Sequence, residues 1–285
     1  MISPAIVEPI THNTITCNQE LPIKRLATAI IALPLLILFF LKASHAFFTA
    51  FILFLIFLGL CEFYRMALPE RRLEGWIAAV AGTFLPLAYV APLQFIMPLG
   101  LTSLVICFSL LFLFRIKDVR RAAGEIALIF MGFLYVPLLL GHLILLHDRP
   151  AGVQWIFLMM VIVMAGDSAA YYVGSSLGRT KLYPIVSPNK SVEGALGGLV
   201  GSVVGALIAK FTFFPMLTVA DCVATALLLG VLGQLGDLFE SLLKRSCGVK
   251  DSGTIVPGHG GILDRLDSIL FAAPAAFYYA YFFFK

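Results

Sequence analysis

Charge is scarce in this chain of 285 residues: Asp, Glu, Lys and Arg together make up 13% of it, against roughly 25% in soluble globular domains. That scarcity, with 60% hydrophobic residues and a mean hydropathy of +0.98, excludes a domain that faces water on every side. Cysteine is sparse too. Cys17, Cys61, Cys107, Cys222 and Cys247 are odd in number, widely spaced and without a CxxC pair, so neither a disulfide framework nor a cysteine zinc site is expected, and most should pack as small hydrophobes. No short-period repeat and no low-complexity linker divides the chain. The net charge of +4 is too small to point to nucleic acid as a partner.

What is present is apolar sequence in long runs. Reading between charged or Pro/Gly breaks predicts an all-α, polytopic integral membrane protein of about nine transmembrane helices, near residues 26–41, 46–61, 76–91, 93–114, 126–146, 153–174, 194–214, 217–236 and 266–284. Residues 1–23 read as a flexible tail, 24–150 as a transmembrane scaffold of about five helices, and 151–285 as a catalytic transmembrane domain of about four. The run after Lys24 and Arg25 has features of a secretory leader, with Ser44 and Ala46 as small residues. A retained first span fits the charge distribution better. Nine spans put sixteen of the twenty Lys and Arg residues on one side and leave Lys42, Arg149, Lys210 and Lys285 on the other. The positive-inside rule then expects the N-terminus and the charged loops in the cytoplasm.

The charge that exists is concentrated. Residues 236–267 carry five of the sixteen acids (Asp237, Glu240, Asp251, Asp264 and Asp267) with Lys244, Arg245, Lys250, Arg265 and His259. Asp237, Ser241 and Lys244 fall on one face of a continuing helix, and Glu240 with Lys244 suits an i, i+4 ion pair. In the segment PGHGGILDRLD, the glycines, including Gly260 and Gly261, let backbone amides approach a phosphate. Carboxylate oxygens beside Lys and Arg suit Mg²⁺ held jointly with a substrate phosphate. An internally paired interfacial loop is the plainer alternative. Two upstream pieces join the set. Asp167 lies inside an apolar run, where an acid marks a cavity or a helix-end pair with Arg179 or Lys181. Ser187, Asn189, Lys190 and Ser191 precede a Gly-rich helix, where they serve either an anion or helix capping.

These residues resemble the phosphatidate cytidylyltransferase (CDP-diacylglycerol synthase) family. Ser241, Lys244, Arg245, Lys250, Asp251, Gly253, Pro257, His259, Gly260, Gly261, Asp264, Arg265 and Asp267 match its signature in spacing, with Val256 a mild departure. Gly166 to Tyr171 and Ser187 to Gly194 match its upstream motifs, with Ser191 in place of Thr. The resemblance implies condensation of CTP with phosphatidic acid to CDP-diacylglycerol and pyrophosphate, dependent on Mg²⁺ and less firmly on a monovalent cation such as K⁺, in a homodimeric multi-pass enzyme of the bacterial inner membrane. Asp237 and Asp264 would be the metal-binding acids, with Lys244, Arg265 and His259 completing the catalytic set. Ser187, Asn189, Lys190, Ser191, Arg245, Lys250, Asp167, Gly260 and Gly261 would contact substrate. Two other readings are open: a CTP-dependent polyprenol or lipid kinase, and a secondary transporter of an anionic solute.

Overall fold

The computed structural model of the protein describes residues 34, 37–90, 95–115, 118–255 and 260–284. The chain divides into two units, Met1–Phe39 and Phe40–Lys285. The tail and most of the predicted first span fall in the former and lie outside the described residues.

Helices follow one another from the start of the second unit: α1 (His45–Ala67), α2 (Arg72–Thr83), α3 (Leu87–Val90), α4 (Ile96–Phe114), α5 (Val119–Tyr135), α6 (Pro137–Leu140), α7 (His142–His147) and α8 (Gly152–Leu177). A hairpin, β1 (Lys181–Tyr183) and β2 (Ser187–Ser191), leads into α9 (Val192–Thr212), α10 (Val219–Ser246) and α11 (Leu263–Phe282). Six helical stretches among the described residues are long and apolar enough to cross a membrane, α5–α7 counting as one. The span predicted over 76–91 is interrupted between α2 and α3, where Pro86 lies in a turn. A proline lacks the amide that would continue the helical ladder. The same cause divides 119–147 at Pro137. The short antiparallel hairpin is a local exception in a chain that is otherwise helical, as the all-α reading expects.

Side-chain caps explain several starts. Ser44 Oγ accepts from Phe47 N, Asp118 Oδ1 from Arg120 N at 2.9 Å, and Ser191 Oγ from Gly194 N at 3.1 Å. Thr218 and Asp221 form a reciprocal capping box at the head of α10. Each cap satisfies an amide that the helix itself leaves unpaired. Asp221 also accepts from Tyr279 Oη at 2.8 Å, while Lys210 donates to the Leu217 carbonyl.

The Gly-rich helix packs closely, as its composition predicts. A Cβ on Gly198 of α9 would lie 3.1 Å from the Gly166 carbonyl oxygen of α8 and 2.8 Å from Gln234 Nε2 of α10. Small residues therefore bring three helices together where the site is built. At 28 residues, α10 is about 42 Å long at 1.5 Å per residue, well beyond a hydrocarbon core of about 30 Å. Its last turns, with Asp237, Glu240 and Lys244, have the length to reach past the apolar layer.

Two ends of this unit are tied by polar contacts. At one, buried Arg71 reaches Glu125 Oε2 at 2.9 Å and the Arg115 carbonyl at 2.6 Å, and stacks over Phe112. At the other, His45 meets Asp148, and Arg149 lies over the Tyr281 ring. Two of the basic loops assigned to one side by charge counting, those of Arg71 and Arg115, meet at the first end.

Candidate active site

A cavity of about 630 Å³ is lined by residues of α8, β2, α9, α10 and α11. Asp167 enters from α8, Asn189, Lys190 and Ser191 from β2, Asp237 from α10, and Asp264, Arg265 and Asp267 from α11. Four carboxylates and two cations, separated by up to 100 residues in sequence, thus share one space. Tyr171 and Leu182 give the same wall an apolar part.

Local hydrogen bonds fix the entry strand. Glu193 accepts from the Arg179 and Thr180 amides, both at 3.1 Å, and Ser191 caps α9. Ser191 therefore acts as a cap, and Asp167 pairs with neither Arg179 nor Lys181 among the described residues. With its base held, the hairpin delivers Lys190 Nζ to 2.6 Å from Asp237 Oδ2. Both side chains are about 30% exposed, so the pair still faces the cavity.

Asp264 is held more tightly. Lys244 Nζ donates to Oδ1 at 2.7 Å, Gly261 N to Oδ2 at 2.7 Å, and Ser252 N to both oxygens at 3.1–3.2 Å. Lys244 also pairs with Glu240, which is fully buried. Gly260 has φ +84°, a left-handed conformation, and a Cβ there would sit 2.6 Å from Asp264 Oδ2. Glycine is needed on both counts.

The largest contribution that sequence reasoning missed comes from α1. Glu62 is 1% exposed and accepts from Ser252 Oγ at 3.2 Å, Ile262 N at 3.0 Å and Leu263 N at 2.9 Å. A Cβ on Gly253 or Gly261 would press on its carboxylate. Glu62 and Asp264 therefore hold Ser252 and the stretch Gly261 to Leu263 from two sides, with Glu62 placed against the positive end of α11. The available signal was an acid directly after an apolar run. Gln234, which donates to the Ala195 carbonyl at 3.0 Å and lines the cavity, was missed as well.

Other expected residues lie elsewhere. Arg245 is exposed and donates to the Val249 carbonyl at 3.1 Å; Lys250 is exposed, and Ser187 pairs with Tyr183 across the hairpin. None of these three lines the cavity. His259 lies outside the described residues.

The donor set fits a hard cation. Among the described residues Asp167 has no hydrogen-bond partner, Asp237 has Lys190 alone, and Asp267 accepts only from the adjacent Ser268 N, at 2.6 Å. Asp264 already takes two contacts at each oxygen from its three donors, so the carboxylate oxygens with lone pairs to spare are those of Asp167, Asp237 and Asp267. Hard oxygens in this number suit Mg²⁺.

These helices and this cavity define a helical membrane protein with carboxylates and cations gathered in one cavity. The sequence profile described as the cytidylyltransferase family matches residues 23–283. The chain belongs to that family. It is 36% identical over 290 positions to the phosphatidate cytidylyltransferase of Synechocystis, covering 91% of this chain and 96% of that one. The enzymes of the same name from Bacillus subtilis and Staphylococcus haemolyticus are 43% and 38% identical over 155 and 161 residues. Those matches cover 54% and 56% of this chain, and in both cases the chain spans 58% of the relative's length.

Proposed function

We propose that this protein condenses CTP with phosphatidic acid to give CDP-diacylglycerol and pyrophosphate, in a step of phospholipid biosynthesis. Convergence of Asp167, Asp237, Asp264, Asp267, Lys190 and Arg265 on one cavity carries the reading, and the names of the relatives support it. The charge asymmetry of the loops favours a cavity facing the cytoplasm of a bacterial inner membrane, where CTP is available and a lipid phosphate can enter from the leaflet. A homodimer belongs to the same proposal, as does nine rather than a smaller number of spans.

The chemistry requires no protein nucleophile. An oxygen of the phosphatidate phosphate bonds to the α-phosphorus of CTP, the bond from that phosphorus to the β-phosphate oxygen breaks, and pyrophosphate leaves. Bound at Asp237 and Asp264, Mg²⁺ would supply positive charge beside the phosphate oxygens, with a monovalent ion such as K⁺ as a second cation. Lys190 and Arg265 neutralise phosphate charge from the cavity wall, and Asn189 donates its amide. Lys244 and Glu62 act through Asp264, Ser252 and the stretch Gly261 to Leu263, which they hold in position. His259 keeps the role of a catalytic positioning donor, and Arg245, Lys250 and Ser187 are assigned to the approach of the triphosphate or lipid phosphate.

Position-labelled CTP tests the reaction. Label from the α-phosphate should enter the lipid and label from the γ-phosphate should leave with pyrophosphate. Lipid labelled only from the γ-phosphate would establish a lipid kinase instead, and uptake of an anion into proteoliposomes without nucleotide would establish a transporter.

A further inference from the structure

We propose a second metal site, for a late first-row divalent ion such as Zn²⁺, made by His45, His147 and Asp148 at the end of the unit away from the catalytic cavity. One ligand atom from each residue lies within 4.8 Å of the others. The residues come from two places that the fold brings together, the first turn of α1 and the C-terminus of α7. Seventeen residues of α1 separate His45 from Glu62, about 25 Å along the helix axis. The cluster is therefore distinct from the carboxylate cavity.

The observation that points to a ligand is a set of buried ring nitrogens without hydrogen-bond partners: His45 Nδ1, His147 Nδ1 and His147 Nε2. Buried polar atoms are nearly always paired, and here both ring nitrogens of His147 go unpaired beside a third whose one neighbour is a carboxylate. His45 Nδ1 lies 2.6 Å from Asp148 Oδ1, yet without the alignment of a hydrogen bond. The His147 ring is held on one face by Phe48, stacked at 4.3 Å between centroids, and leans against the His45 ring at 5.8 Å. These contacts fix the plane of His147 and leave its nitrogens available.

Thr49 supplies the supporting bond. His45 Nε2 and Thr49 Oγ1 are 3.3 Å apart. Nδ1–H faces the Asp148 carboxylate in the metal-free pair, so binding would release that proton, leaving Nε2–H to donate to Thr49 and the Nδ1 lone pair to the ion. The nearest cation in sequence, Arg149, is turned onto the Tyr281 ring at 5.0 Å. Two imidazoles and a carboxylate suit Zn²⁺ or Co²⁺ rather than Mg²⁺. Bonds of about 2.0–2.1 Å in a tetrahedron place ligand atoms roughly 3.4 Å apart, so separations of up to 4.8 Å would shorten while the 2.6 Å pair of His45 and Asp148 would open slightly. His45 and Asp148 are 42% and 45% exposed, which leaves a coordination position open to solvent.

The test uses the full chain in detergent, purified without a polyhistidine tag and stripped with EDTA. Titration with Co²⁺ should load one equivalent per chain and give the visible bands of a four-coordinate site, and Zn²⁺ should bleach them. His45→Ala/His147→Ala should lose the equivalent, and Asp148→Asn should weaken it by more than the ~10-fold typical of losing an outer-shell partner. Asp237→Asn should retain it. Equal uptake by wild type and the double variant, or loss only in Asp237→Asn, would overturn the site. Should the double variant fail to fold, Cu²⁺ electron paramagnetic resonance on the wild-type chain decides. Hyperfine coupling to two imidazole nitrogens is expected, and coupling to none refutes the proposal.

Discussion

Lys244 sits between two acids, and its surroundings set what its loss should do. Removing one member of a buried ionic cluster leaves the others uncompensated, at a cost of about 3–5 kcal/mol. Lys244→Met should therefore lower thermal stability sharply, and adding Glu240→Leu should restore part of it, as read by the unfolding midpoint in detergent. Lys190 is in a different position, because its partner Asp237 stays exposed to the cavity and can be hydrated. Lys190→Met should leave the midpoint nearly unchanged while cutting kcat/KM for CTP by at least ~10-fold, the scale of one charge-assisted contact. Much at this scale was legible in the sequence. The ion pair of Glu240 with Lys244 and the shared helix face of Asp237 and Lys244 follow from spacing alone, whereas spacing left Ser191 open between a cap and an anion ligand. Lys250 and Arg245 show the limit, since spacing along the chain does not say which way a loop side chain turns.

Elements show why Glu62 escaped sequence reasoning. Its contacts are with residues 190 to 201 positions away, and nothing in the periodicity of α1 refers to them. A helix assigned to scaffold thus supplies the residue that positions the segment entering α11. Glu62→Gln places an amide group against three donors and loses charge-assisted bonds worth about 1.5–3 kcal/mol each. Cleavage by added protease between Gly248 and Gly261 should then become faster, and kcat should fall together with a rise in KM for CTP. A merely structural weakening of α1 would lower the midpoint without that local cleavage. Packing of α8 on α9 is the converse case, because the glycines announced it. Gly198→Val should cost about 1–3 kcal/mol by overpacking, seen as a lower midpoint, with Gly198→Ala milder. The hairpin and the interruption at α2–α3 were less legible: short strands and a proline turn leave an apolar run looking continuous.

For the whole molecule, composition alone indicated a polytopic membrane protein, and the charge asymmetry suggested which loops share a side. The structure brings Arg71, Arg115 and Glu125 together at one end and His45, Asp148, Arg149 and Tyr281 together at the other, consistent with that division. Orientation is open to direct measurement. On a chain lacking its native cysteines, Lys250→Cys should react with an impermeant maleimide only after the inner membrane is opened, whereas Arg149→Cys should react in intact spheroplasts; the reverse pattern would invert the topology. The central claim is that the cavity of Asp167, Asp237, Asp264 and Asp267 performs the nucleotidyl transfer. Purified wild type, Asp237→Asn and Asp264→Asn, each shown to be folded, should be given phosphatidic acid, saturating Mg²⁺ and CTP labelled in the α-phosphate. Wild type should yield labelled CDP-diacylglycerol and each variant at least ~100-fold less, as expected when a metal-holding carboxylate is lost. Near wild-type labelling by both variants would contradict the account.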